Sequence, residues 1–276
     1  MDILSQRIYK GPLKAVILDW AGTTVDCGCC APAGVFVEVF KRRGIEIAEA
    51  QAREPMGLHK RDHIRAITRM ESVAKEWTEK NGKPCSEEDI ESMFREFVPL
   101  QLDCIPRFAD LTPGALEGIR EFRRRNLKIG TTTGYNRDML ELLLKEASTR
   151  GYTPDSSFCA VDVPAARPAP WMIFRNAEAL GVYPMEAYVK IGDTPADIEE
   201  GLNAGTWTVG VTKVGNEVGL TEEQLASIDP QELERRMEFA RGRLNGAGAH
   251  YLVETLAEIG PVLDDIERRL NAGVRP

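Results

Sequence analysis

Four segments of this chain are short and largely apolar without alternation: residues 15–18, 127–131, 187–191 and 207–211. Runs of that kind fit strands buried on both faces of a parallel sheet. Segment 158–161 is a weaker fifth and 250–253 a possible sixth. Between them the apolar period lengthens to that of helices, at 113–125, 137–150, 170–180 and 195–204. Several of these open at Pro and stop at Gly, as in Leu180-Gly181 and Ala204-Gly205, which suits the chemistry of helix ends. Strand–helix alternation of this sort predicts an α/β fold, a doubly wound parallel sheet covered on both sides.

The alternation breaks between residues 31 and 105. Amphipathic helices are expected at 32–43, 59–70, 72–80 and 86–102, with no convincing strand among them. We read this stretch as a helical cap, residues 28–105, inserted just after the first strand. Residues 1–27 and 106–276 then form the core, and the junctions fall at 26–30 and 105–111. From residue 221 onward the pattern is helical and charged, with a disordered end expected near Gly273.

Composition changes the picture little. With 276 residues and 43% hydrophobic side chains, the chain can bury a large core. The net charge of −8 argues against nucleic acid or an anionic membrane as partner, so an anionic substrate needs a local basic pocket. No apolar stretch reaches the roughly 20 residues that span a bilayer, and residues 1–7 lack the apolar segment of a secretory signal. A cytoplasmic location is expected. Cys27 and Cys30 form a C-x-x-C, but no second pair follows at zinc spacing and the three histidines do not complete a site, so reduced thiols are expected.

The chemistry gathers at the strand ends, where open parallel sheets bind ligands. The first strand ends in Asp19, within an Asp-x-x-x-Thr pattern typical of enzymes that pass through an aspartyl phosphate. The second ends in Thr131-Thr132-Thr133-Gly134-Tyr135 and the fourth in Gly192-Asp193-Thr194-Pro195-Ala196-Asp197. Arg167 precedes the third helix. A carboxylate that attacks phosphorus needs a cation to offset anionic repulsion, and an oxygen-rich site suits Mg²⁺. Asp19 and Asp193 are the expected carboxylate ligands and the Ala21 carbonyl a third oxygen. Asp197 is expected to orient a ligand or a water outside the direct ligands. Thr133 and Arg167 are expected to hold phosphoryl oxygens, Arg167 with its planar fork.

Five blocks in order carry a family resemblance: Asp-Trp-Ala-Gly-Thr-Thr-Val-Asp (19–26), Pro-Met-Gly-Leu-His-Lys-Arg-Asp-His (55–63), Thr-Thr-Gly-Tyr (132–135), Arg-Pro-Ala-Pro-Trp-Met (167–172) and Gly-Asp-Thr (192–194). The chain resembles the haloacid dehalogenase superfamily and, within it, the phosphonatase family. That resemblance implies hydrolysis of the carbon–phosphorus bond of phosphonoacetaldehyde to acetaldehyde and phosphate. It implies a homodimer. It also implies that Cys29, Met56, Gly134 and Tyr135 line the substrate pocket, with Tyr135 in contact with His63 or water, and that Thr194 and Asp197 surround the metal ligands.

Relatives built on the Asp-x-x-x-Thr pattern that cleave esters carry a second Asp two places on, as general acid; this chain has Ala21 there. A carbanion leaving phosphorus needs an electron sink instead of a proton. Lys60, condensed with the substrate aldehyde, supplies one as a protonated imine. It must be neutral to do so, and burial or a neighbouring cation lowers its pKa in that direction. Met56, Lys60 and His63 are four and three apart and are expected to share a helix face; in the chemistry the resemblance implies, Met56 would shield Lys60 and His63 would relay protons. Three other readings stay open at this point: a capped Mg²⁺-dependent phosphatase acting on a small ester, an imine-forming lyase or aldolase that releases no phosphate, and a silent binding module. Ala21 speaks against the first, and the intact set Asp19, Lys60, Thr133, Arg167, Asp193 and Asp197 against the last.

Overall fold

The first apolar run, Ala15–Leu18, is buried at all four positions because it forms β1, an interior strand with a neighbour on each side. A computed structural model describes residues 8–276. The other strands are β2 Lys128–Thr133, β3 Ser156–Cys159, β4 Tyr188–Gly192, β5 Trp207–Val211 and β6 Tyr251–Val253. They form one parallel sheet in the order β3-β2-β1-β4-β5-β6. The winding reverses between β1 and β4, the place where such sheets open a crevice. Leu18 pairs with Thr131 on one side and Ile191 on the other, so the ends of β1, β2 and β4 lie level.

Five helices separate β1 from the rest of the sheet: α1 Cys30–Arg42, α2 Glu49–Arg53, α3 Lys60–Thr68, α4 Glu71–Asn81 and α5 Glu87–Phe108. α6 Ala115–Arg124, α7 Arg137–Thr149, α8 Trp171–Leu180 and α9 Pro195–Ala204 then alternate with the strands. α10 Glu222–Ser227, α11 Pro230–Gly246 and α12 Ile259–Asn271 complete the chain. α1 packs on α5 through Phe36, whose ring lies 4.5 Å from that of Phe97. Burying an aromatic of that size contributes about 1.5–3 kcal/mol. The apolar cluster is continuous from Val16 and Leu18 through Trp20 and Val25 into Phe36, Phe97 and Leu140, so the α1–α5 layer is seated on the sheet.

Four expectations are corrected. α5 runs to Phe108 through Pro99 and Pro106, well past residue 102. Each proline removes one N–H. The buried row Ile90, Met93, Phe97, Gln101 and Ile105 keeps the helix in place, and Ser86 caps its start by accepting from the Asp89 N–H at 3.2 Å. α2 was not expected; it is one short turn-and-a-half with a single buried side chain, Ala52, and so has no apolar period to read. β3 ends at Cys159, because Asp162 accepts from the Cys159 N–H at 2.8 Å and turns the chain. The C-terminal end is ordered: Gly273 adopts φ +80° and the Val274 N–H closes on the Arg269 carbonyl at 2.9 Å, a left-handed helix cap.

Candidate active site

Asp19 follows β1 directly, its N–H bonded to the Ile191 carbonyl of β4 at 2.9 Å. The turn after it is held by Thr24, whose hydroxyl donates to the Asp19 carbonyl at 3.0 Å. Thr23 donates to Asp193 Oδ1 at 2.8 Å, and the Asn216 N–H donates to Asp193 Oδ2 at 2.8 Å. Asp193 is thus fixed from both sides. Asp19, Asp193 and Asp197 are buried and each offers an oxygen within 4.8 Å of the others. Burial pushes the Asp19 carboxyl upward; Arg167 opposes this and Asp197 adds to it. Asp193 is held well above the ordinary carboxylate range by burial and by the charges of Asp19 and Asp197. Three buried oxygen donors that repel one another fit a divalent cation, which neutralises them together.

Arg167 is buried beside them and its bonds diverge. Nη2 donates to Asp19 Oδ1 at 2.6 Å and to the Thr132 carbonyl and hydroxyl at 2.7 and 2.6 Å. Nη1 lies 3.0 Å from Asp197 Oδ1, and Nε donates to Glu200 Oε2 at 2.9 Å. Burial opposes its charge, yet Asp19, Asp197 and Glu200 hold the guanidinium above its ordinary pKa. Lys190, on β4, joins from below, 2.8 Å from Asp197 Oδ1 and 3.2 Å from Glu200 Oε2. Asp197 itself is pushed up by burial, but Arg167 and Lys190 outweigh that and keep it ionised. The Thr194 hydroxyl donates to Asp197 Oδ2 at 2.6 Å, at the start of α9.

Across from this set stands Lys60, only 4% exposed. Its Nζ lies 3.8 Å from Met56 Sδ, 5.2 Å from the Tyr135 ring centroid and 5.6 Å from that of Phe36. Burial lowers its pKa; Cys29, Asp19 and Asp26 pull it back up, and Arg167 lowers it further. The amine therefore senses the charges of both Asp19 and Arg167. Burial pushes the Cys29 thiol and the Tyr135 phenol well up, so both stay protonated. Cys29, Ala33 and Met56 form a small apolar cluster, with Ala21 packed against it. An apolar wall thus stands at Ala21, two residues after Asp19.

Two features differ from expectation. α3 begins at Lys60, so Met56 is not on its face; the pair meets across the preceding turn, where Gly57 adopts φ +91°. The Tyr135 hydroxyl takes its bond from Gln101 Nε2 at 3.2 Å and not from His63. His63 is buried and stacked on Phe36 with ring centroids 3.7 Å apart. Its Nε2 donates to the Ala52 carbonyl at 2.8 Å, which leaves Nδ1 as the unprotonated nitrogen, buried without a partner. Burial, then the charge of Lys60, drives its pKa well below the usual value. Thr133 is buried at the end of β2 and accepts from the Tyr135 N–H at 3.2 Å.

Thr23, the threonine of the Asp-x-x-x-Thr pattern, and Thr132 were quoted from the sequence without a role, and Lys190, Glu200 and Asn216, which carry much of this geometry, were not singled out at all. One signal was available: Lys190 is the only charged residue in the run 187–191.

The turn before α3 touches the sheet at two glycines. A side chain on Gly57 would come within 2.4 Å of Thr194 Oγ1, and one on Gly134 within 2.3 Å of the Leu58 carbonyl. Gly57→Ala is expected to keep the fold but to displace Lys60 from the strand ends. A displacement of about 1 Å lowers kcat/KM by roughly 10²-fold. Steady-state rates beside a thermal melt check this; an unchanged rate would mean that the turn yields at no catalytic expense.

The fold and the carboxylate set define a haloacid dehalogenase-like hydrolase, and the model of that family matches residues 13–205. A phosphonoacetaldehyde hydrolase-like protein from Syntrophobacter fumaroxidans is 50% identical over the whole of both chains. A phosphonoacetaldehyde hydrolase from Nitratidesulfovibrio vulgaris is 48% identical over 99% of this chain and 98% of its own. The crystal structure of a phosphonoacetaldehyde hydrolase-like protein from Oleispira antarctica superposes with a TM-score of 0.96 at 39% identity, covering all of both chains. The chain belongs to the phosphonoacetaldehyde hydrolase family.

Proposed function

We propose that this enzyme hydrolyses phosphonoacetaldehyde to acetaldehyde and phosphate, with Lys60 as the imine-forming amine and Asp19 as the nucleophile. One observation carries the reading: an amine with lowered pKa, walled by Met56, Phe36 and Tyr135, lies within electrostatic reach of the buried Asp19 carboxylate, and Ala21 stands where the usual acid would be. Family membership supports the same substrate.

Neutral Lys60 adds to the aldehyde carbon, and loss of water leaves a protonated imine. Arg167 fixes Asp19 Oδ1, so we assign Oδ2 to attack at phosphorus. The carbon–phosphorus electrons pass into the imine, and the two-carbon fragment departs as an enamine on Lys60. Protonation at carbon and hydrolysis release acetaldehyde. A second water cleaves the aspartyl phosphate, so the balance is one water consumed per turnover. We assign His63 Nδ1, the free nitrogen of a buried ring, to carry a proton during imine formation. Thr133 and Arg167 are assigned to the phosphoryl oxygens, and Cys29, Met56, Gly134 and Tyr135 to the pocket wall. Asp19, Asp193 and the Ala21 carbonyl are assigned to Mg²⁺, with Thr194 and Asp197 bracing them. When bound, the ion neutralises charge between carboxylate and phosphoryl group.

We further propose residues 28–105 as a cap that closes over residues 1–27 and 106–276, which excludes water from the imine. A cytoplasmic homodimer fits the same reading. Among the described residues no helix is long and apolar enough to cross a membrane.

The test is product balance. Acetaldehyde and phosphate are expected in equal amounts, and chelation of divalent ions should abolish both until Mg²⁺ is restored. Phosphate without acetaldehyde, or full turnover in chelator, would contradict the assignment.

A further inference from the structure

Arg53 closes α2 at the seam between the α1–α5 layer and the loop that follows β5. Its guanidinium reaches both sides. Nη1 donates to the Gly28 carbonyl and lies 3.3 Å from Asn216 Oδ1, and Nη2 donates to the Gly219 carbonyl at 3.2 Å and to Glu49 at 2.7 Å. Asn216 answers, its Nδ2 donating to the Arg53 carbonyl at 3.2 Å. Both ends of the Asn216 amide are therefore engaged by one residue of the helical layer. The Asn216 N–H is the group that donates to Asp193 Oδ2 at 2.8 Å. A continuous path of three residues leads from α2 to a carboxylate of the oxygen cluster.

We infer that Arg53 is a positioning residue: by pinning Asn216 it sets the orientation of Asp193 and so ties the seating of the α1–α5 layer to the affinity of the cation site. This rests on the reading that Asp193 holds a divalent cation. The physical basis is the fork of Arg53. A planar guanidinium can bind carbonyls from the junction turn at Gly28 and the loop at Gly219 at once only while the two sides are together. With the layer lifted, the Asn216 amide loses both bonds to Arg53 and keeps only the 3.3 Å bond from Nδ2 to Glu217 Oε1, so its N–H is held less firmly toward Asp193. Because coupling is reciprocal, the ion would in turn favour the seated layer. The neighbouring Glu54–Arg243 ion pair, at 3.1 Å, also crosses the seam but ends on α11. It reaches Asn216 only by a longer route, through Arg243 Nε on Glu217 Oε2 at 3.2 Å and Glu217 Oε1 on one end of the Asn216 amide at 3.3 Å.

The experiment is calorimetric titration of the chelator-stripped, full-length protein with MgCl₂ in the absence of substrate. Arg53→Met and Asn216→Ala are each expected to weaken Mg²⁺ binding roughly 10-fold, the lower end of what partners of metal ligands contribute. Arg53→Lys should fall in between. The double variant should be about 10-fold weaker, not about 100-fold, because both act on one path. Glu54→Gln should lose far less affinity than Arg53→Met, because the amide can still bond Arg243 and only the longer route through Glu217 is touched. Asn216→Ala keeps the carbonyl bonds of Arg53, so it tests the path even where Arg53→Met does not fold. Parent-like affinity in Arg53→Met and Asn216→Ala, or an equal loss in Glu54→Gln, overturns the inference. Asp193→Asn separates the two levels. If it binds Mg²⁺ unimpaired, the cation reading fails and this inference with it; if it loses the ion while Arg53→Met does not, this inference alone fails.

Discussion

Lys60→Arg lowers acetaldehyde formation at least about 10⁴-fold, the scale on which one member of a catalytic unit is missed, while the protein remains folded. The substitution keeps a cation and most of the side-chain length, so an electrostatic role would survive it. A guanidinium stays protonated and cannot condense with an aldehyde. Lys60 is suited to that chemistry because burial lowers its pKa, so more of it is neutral near pH 7 than of an exposed lysine. The tightness of the site bears on how the result is read. Nζ sits between Met56 Sδ, the Tyr135 ring and the Phe36 ring, and a larger head group could disturb these contacts. Lys60→Met serves as the second variant, since it removes charge and nucleophile with little added volume. Both should be equally inactive. Residual turnover within about tenfold of the parent in either would leave the carbon fragment without its electron sink and return the capped phosphatase as the better description.

Asp19→Asn is expected to lower phosphate release on the order of 10⁵-fold, yet to leave condensation at Lys60 intact. The two halves of the reaction sit on different elements, α3 and the end of β1, and only the second is removed. Arg167 keeps Asp197 and Glu200 as partners, so the variant should not collapse around an unpaired charge. Phosphate assays together with trapping of the amine check both parts. Retained phosphate release would remove Asp19 as the nucleophile. Loss of trapping as well would mean that the two steps are not separable as described.

Legibility in the sequence followed the local physics. β1 and β5 were readable to the residue because both faces are buried and every position is apolar or small. α9 was readable because Pro195 opens it and Gly205 closes it. Asp19, Asp193, Lys60 and Arg167 were legible as candidates because they stand beside such marked elements; Arg167 bonds Asp19, Asp193 lies close by, and Lys60 senses the charges of Asp19 and Arg167. What lay out of reach depends on tertiary contact. Glu200 is one more acid on a helix until Arg167 and Lys190 close on it. Gln101 lies on a helix whose prolines disguise its length, and it donates to the Tyr135 phenol, for which His63 or water was expected. Asn216 and Arg53 are 163 positions apart and act as a pair only across the seam. α2, which carries Arg53, has too few buried positions to show any period.

The most direct measurement is intact-mass spectrometry, followed by peptide mapping, of enzyme treated with borohydride while phosphonoacetaldehyde is present. Reduction should fix a two-carbon fragment to Lys60 and to no other lysine, Lys190 included, and the adduct should be absent from Lys60→Arg. An enzyme that turns over under these conditions yet keeps its mass unchanged, or carries the fragment elsewhere, would contradict the imine at Lys60.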